Sequence, residues 1–424
     1  MWLRLSRAVE LTILLAFAAS LAPSAAILPG DEQDQARRYT RNIEFEYLSW
    51  MQDAARLKAA AGAAGIPGYV DRASRRIIVS DYLQVTQKVI LAQDALNKIY
   101  ADPQVEDKIQ AAAYIKQQLL RLGAVQDELA PLAEAVLQSQ VTEVAAALGL
   151  TTLGQPIPEV LYHSTSVPDA LIVSPRDLIR QTANISIQPG LPADQQTQLE
   201  QRVEQGLDAS ALVVPIGGIG VYPTMITQTT DRRWLVDTIA HEWTHNYLEL
   251  RPLGLLYDRT PELRTMNETT ADIVGTEIGD QVEQRYYASE RRGLAANSPM
   301  IGLLAHYPDP HDADPPPFDF RSEMHTTRTT VDNLLASGKI LEAETYMEQR
   351  RKLFLENGFY IRRLNQAYFA FYGAYADVPG GPAGADPVGP AVRALRAESG
   401  SLAEFLKRIS WMTSFHQLQV AVRN

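Results

Sequence analysis

Histidine occurs seven times in 424 residues, and two of the seven stand four apart with a glutamate beside the first, in the run His241-Glu242-Trp243-Thr244-His245. No other feature restricts the fold as tightly. Four residues of α-helix advance about 6 Å and turn about 400°, so a helix through Leu235–Leu250 stacks both imidazoles on one face and sets Glu242 at its edge. Two imidazoles so placed can reach one tetrahedral Zn²⁺ at roughly 2.0–2.1 Å, leaving room for a third protein ligand and a water. A carboxylate at Glu242 could then take the proton as that water attacks a carbonyl.

A second stretch supplies the missing ligand. In Thr265–Asp280, Ala271, Val274 and Ile278 recur at helical steps, and Glu268, Asp272, Gly275 and Gly279 share the neighbouring face. Glu268 would complete a His₂Glu set. Asp272, one turn on, could accept a hydrogen bond from a ligand histidine and hold its tautomer. The two glycines would let another helix approach closely. Thr265, three residues before Glu268, also permits reading that glutamate as part of a capping box.

HEWTH followed by NETTAD resembles the gluzincins, the thermolysin-like clan of zinc metallopeptidases. In that clan HExxH is followed on a later helix by Glu and, four residues on, Asp. The strong match covers about a tenth of the chain. The resemblance implies His241, His245 and Glu268 as ligands of one Zn²⁺ per chain, Glu242 as general base and Asp272 as support. It also implies an edge strand just upstream of the HExxH helix that pairs with the substrate backbone. The segment "ENGFYIRRLNQAYFAFYGAYAD" is similar to a helix of bacterial aminopeptidase-like proteins carrying the same motif.

Composition narrows the alternatives. A formal charge of −11 argues against a nucleic-acid partner. The absence of cysteine rules out disulfides and thiolate metal sites. At the N-terminus, Arg4 and Arg7 precede an apolar run from Leu11 and the small residues Ser24, Ala25 and Ala26. Residues 1–29 thus read as an export signal, with Leu11–Leu28 also long enough to remain as a membrane anchor. The expected location is secreted, or held on the outer face of the cell membrane.

The rest of the chain reads as an α+β protein, mostly helical: a zincin-like catalytic core with a small mixed β-sheet and helical N- and C-terminal regions. Residues 30–150 are expected to be a helical region, from Ile43, Tyr47, Trp50, Ala54 and Leu57 at three- and four-residue steps and a similar series from Leu129 to Leu148. Breakers fall at Gly65–Gly68 and Pro103. Residues 151–300 hold the catalytic region, where β-like runs end in Ala211–Ile226, the candidate substrate-binding edge. Residues 301–424 form a helical lobe with turns at Gly338 and Gly358, after a proline-rich loop whose His311, Asp312 and Asp314 could hold calcium but better suit a linker.

A peptidase also needs a donor for the developing oxyanion, and His325, Tyr368 and Tyr372 are the candidates. The reading is an exported zinc metallopeptidase acting on peptide or protein substrates. Its rivals are an envelope scaffold with a structural zinc site, which needs no Glu242, and a zinc hydrolase of non-peptide substrates.

Overall fold

The computed structural model describes residues 31–63, 70–101, 107–152, 154–288, 318–373 and 387–423. The proposed export segment, the Gly65–Gly68 and Pro103 breakers and the possible calcium ligands lie outside these residues. The described chain is mostly helical with little β-structure, an α+β arrangement.

The N-terminal helices are α1 (Glu32–Arg37), α2 (Tyr47–Ala63), α3 (Arg72–Ala101) and α4 (Lys108–Ala147). Asp107 starts α4 by accepting the Gln110 N–H at 2.9 Å, as an N-cap aspartate should. Helices α3 and α4 pair antiparallel, with Gln126 donating to Thr86 at 2.9 Å. Ile43 departs from the expected helical series. Its carbonyl accepts from Gln188 N at 2.7 Å, so this segment lies along a strand edge instead of entering a helix.

The strands are β1 (Tyr162–Thr165), β2 (Asp169–Pro175), β3 (Ala183–Ile187) and, after helix α5 (Ala193–Leu207), β4 (Ala209–Pro215), β5 (Gly218–Ile219) and β6 (Thr224–Thr227). They form two three-stranded sheets: antiparallel β3-β2-β4, and mixed β1-β6-β5. The run Ala211–Ile226 is therefore not one strand. Pro215 has no N–H to continue a ladder, and the chain leaves the first sheet there to enter the second at Gly218.

Side-chain alternation along β2 and β4 divides the packing. Leu171, Val173, Ala211 and Val213 face α1 and α5. Ala170, Ile172, Leu212 and Val214 face α9 (Phe320–Ala336), α10 (Ile340–Glu356) and α11 (Gln366–Tyr372). Gly338 and Gly358, at φ 72° and 87°, end α9 and α10, in the left-handed conformation that glycine adopts without strain.

The largest core crosses the expected region limits. It joins α6 (Arg232–Glu249) and α8 (Pro261–Tyr286) to Val136, Leu137, Val141 and Val144 of α4 on one side. On the other side lie α12 (Val388–Glu398), α13 (Leu402–Ile409) and α14 (Phe415–Arg423). The C-terminal region is thus split between two cores.

One buried ionic knot ties α2, α4 and β1 together. Glu134, fully buried, accepts from Lys58 Nζ, from His163 Nδ1 at 3.0 Å and from Ser164 N at 2.8 Å.

Candidate metal centre

Helix α6 begins with Asp231 accepting the Trp234 N–H at 3.0 Å. After a short turn, α7 (Pro252–Leu255), Thr260 caps α8 with Pro261 at its first position, where a missing N–H costs nothing. This start is earlier than a Thr265 cap, so Glu268 is mid-helix. Helices α6 and α8 cross tightly at Gly275, where a Cβ would lie 2.8 Å from the Asp237 carbonyl oxygen and 3.2 Å from His241 Cβ. The close approach brings Glu268 over the histidine pair.

His241 Nε2 and His245 Nε2 are 3.1 Å apart, and Glu268 Oε2 lies 3.6 and 3.5 Å from them. Tetrahedral ligand atoms on an ion at 2.0–2.1 Å stand about 3.3 Å from one another, close to what these three side chains present. Both ring orientations are fixed from behind. His241 Nδ1 lies 3.0 Å from Asp272 Oδ1, and His245 Nδ1 lies 2.7 Å from Asn267 Oδ1. Each oxygen accepts a hydrogen bond from the Nδ1–H it faces, which leaves both Nε2 lone pairs aimed into the same space. Glu268 Oε2 is buried there with no hydrogen-bond donor. Three unshared electron pairs converging in a buried site are costly unless a cation sits among them. These residues can hold a metal ion, and the donor set fits zinc.

The field of the site reads the same way. Burial alone would lower the pKa of His241, yet the neighbouring carboxylates of Asp272, Glu268 and Glu242 hold it well above its ordinary value. Burial raises Glu268, but the two histidines keep it well below the usual carboxylate range. Positive charge is favoured at the ring nitrogens. Glu242, 7% exposed, is pushed upward mainly by burial, the direction that suits a general base.

A cleft of about 1140 Å³ opens over the cluster. Strand β5 forms one wall, with its outer edge unpaired among the described strands. A Cβ at Gly218 would stand 2.6 Å from Glu242 Oε1, and one at Gly220 would stand 3.0 Å from His245 Cβ. The Gly-rich run therefore lets backbone lie directly on Glu242 and His245.

Of the three expected oxyanion donors, Tyr372 lines the cleft. Tyr368 packs behind it, with ring centroids 4.6 Å apart, and is almost fully buried. His325 does not reach the cleft. Helix α9 turns Met324, Val331 and Leu335 into the core, and His325 lies off the cleft lining. The hydroxyl nearest the cluster was not among these candidates. Tyr257 donates to Glu268 Oε1, and its ring meets His245 edge-on at 6.2 Å. Asn267, which opens the NETTAD stretch without an expected role, is 1% exposed and orients His245.

A scan against protein-family models, a search of curated proteins and a search of solved structures each find no match.

Proposed function

We propose that this chain is an exported, single-zinc metallopeptidase of gluzincin type, with a zincin-like core built on α6, α8 and the mixed sheet. The observation that carries the reading is that Gly218 of β5 and the adjoining Gly220 lie against Glu242 and His245, while the outer edge of β5 is unpaired among the described strands. An extended peptide can add to that edge through main-chain hydrogen bonds, which places a carbonyl beside both the ligand cluster and a buried base.

His241, His245 and Glu268 would hold the zinc ion, which when bound would supply Lewis acidity and a water nucleophilic near neutral pH. Glu242 takes the proton of the attacking water and returns it to the leaving amine. Asp272 and Asn267 keep the two imidazoles in the tautomer that presents Nε2. Tyr257 fixes Glu268 from the side away from its free oxygen. Gly217, Gly218 and Gly220 keep the substrate groove open over the base.

A purely structural zinc site is closed by four protein ligands. Here the histidines border an open cleft and a base stands beside them, which favours chemistry over scaffolding.

The test compares zinc content and cleavage of a mixed peptide library for the wild type, Glu242→Gln and Glu268→Ala. The expected result is zinc and cleavage in the wild type, zinc without cleavage in Glu242→Gln, and neither in Glu268→Ala. Full turnover by Glu242→Gln would sink the mechanism.

A further inference from the structure

Six carboxylates line the cleft: Asp237, Glu242, Glu249, Asp258, Glu268 and Asp272. Five have assigned partners or work. Asp237 pairs with Arg233 at 2.9 Å, Asp258 with Arg264 at 3.0 Å, and Asp272 with His241. Glu268 joins the metal cluster and Glu242 is the base. Glu249 has neither role. No donor among the described residues hydrogen-bonds to its side chain, and Arg259, the one guanidinium lining the cleft, makes no ion pair with it.

The position of Glu249 makes this isolation costly in a second way. It is the last residue of α6, where the helix's own dipole disfavours an anion and favours a cation. Burial pushes its carboxyl up to about 7, opposed only by the charge of His245. It follows His245 by four residues, so it continues the ligand face of α6 one turn, about 6 Å, beyond the metal site. Perturbed charges kept unpaired beside a reactive centre are characteristic of substrate contacts.

We propose that Glu249 is a specificity residue that receives a cationic group of the substrate. This deepens, and rests on, the peptidase reading. The direction of binding follows from β5 together with antiparallel addition, the more stable strand pairing. Gly217 lies by Trp234, Gly218 by Glu242 and Gly220 by His245, so the strand runs along α6 in the same sense. A peptide added antiparallel to β5 enters at the Glu249 end and leaves at Trp234. The cation therefore lies on the N-terminal side of the cleaved bond. Two groups carry that chemistry, a free α-ammonium and a Lys or Arg side chain. For the second, Leu255, 74% exposed on the same rim, offers a surface for the aliphatic stem.

The experiment uses three peptides of one core sequence: free α-amine with neutral side chains, the same peptide N-acetylated, and the acetylated peptide with Lys before the cleaved bond. We expect the wild type to prefer a cationic peptide over the acetylated neutral one in kcat/KM. In Glu249→Gln that preference falls by about 10- to 100-fold, the range for a lost hydrogen bond to a charged group. Loss confined to the free-amine peptide identifies the α-ammonium, and loss confined to the acetylated Lys peptide identifies the side chain. Removing an unpaired charge should leave the melting temperature of Glu249→Gln no lower than that of the wild type, so misfolding is separable. Equal rates on all three peptides, or a preference that survives Glu249→Gln, overturns the assignment.

Calorimetric binding of the same peptides to zinc-loaded Glu242→Gln protein, with and without Glu249→Gln, separates the two readings. Cation-dependent binding through Glu249 with no cleavage by the wild type keeps this assignment and rejects the peptidase. Cleavage without cation dependence does the reverse, and the absence of both rejects both.

Discussion

Glu134 and Glu268 are both buried helical glutamates facing histidine, yet they differ in how their two oxygens are answered. Both oxygens of Glu134 have donors: Lys58, His163 and Ser164 N all donate to it. Around Glu268 one oxygen takes the Tyr257 hydroxyl while the other has no donor and faces two imidazole nitrogens. A charge that is fully answered holds helices together. One left half-answered next to other lone pairs marks a place for a cation. Burial and residue type are shared, so it is the count of donors that separates scaffold from site.

The comparison can be broken most severely at the base. Glu242→Gln is expected to lower kcat by about 10²–10⁴-fold with zinc content unchanged, as read by peptide hydrolysis and metal analysis. No substitution in the Glu134 knot should give that pattern. Glu134→Ala leaves Lys58 buried without its partner and should cost about 3–5 kcal/mol of stability, measured by denaturant unfolding, without loss of zinc stoichiometry in the folded protein. Replacing both, Glu134→Leu with Lys58→Met, should recover most of that cost; a double variant as weak as the single one would refute the ionic reading of the knot.

Asp272→Ala frees the His241 ring and should weaken zinc affinity by about 10- to 100-fold, seen in competition with a chelator. The smallest effect is in acid. The histidine and lysine partners hold Glu134 below its ordinary 4.5 against the upward pull of burial. A depressed folded value means that its stabilisation is complete above about pH 4.5 and is lost as pH falls through the folded value. Glu134→Gln should flatten the stability profile over that acidic window. A slope equal to the wild type's there would show that other carboxylates govern the acid limb.

Much of this molecule is legible in linear form. The α6 and α8 helices announce themselves by periodicity and by spaced histidines and carboxylates. The glycine stops at Gly338 and Gly358 announce the turns. What escaped reading did so for identifiable reasons. Helix α5 buries only Leu199, Glu200 and Val203, too narrow an apolar stripe to stand out between strands. Ala211–Ile226 is one hydrophobic run in sequence, and only the change of sheet at Pro215 divides it. Tyr257 belongs to no motif and Asn267 has no ligand or base role in the one it opens, because each acts through a hydrogen bond that exists once α8 has docked.

By itself the sequence determined which atoms could bind a metal, since ligand chemistry and the 3.6-residue repeat are local. It determined the helical character of most segments for the same reason. Whether those atoms converge was decided only by the tertiary structure, through the contact of Gly275 with α6 and the placement of β5 on Glu242. So was the isolation of Glu249, because a missing partner is a property of the whole surroundings and no single stretch of chain records it.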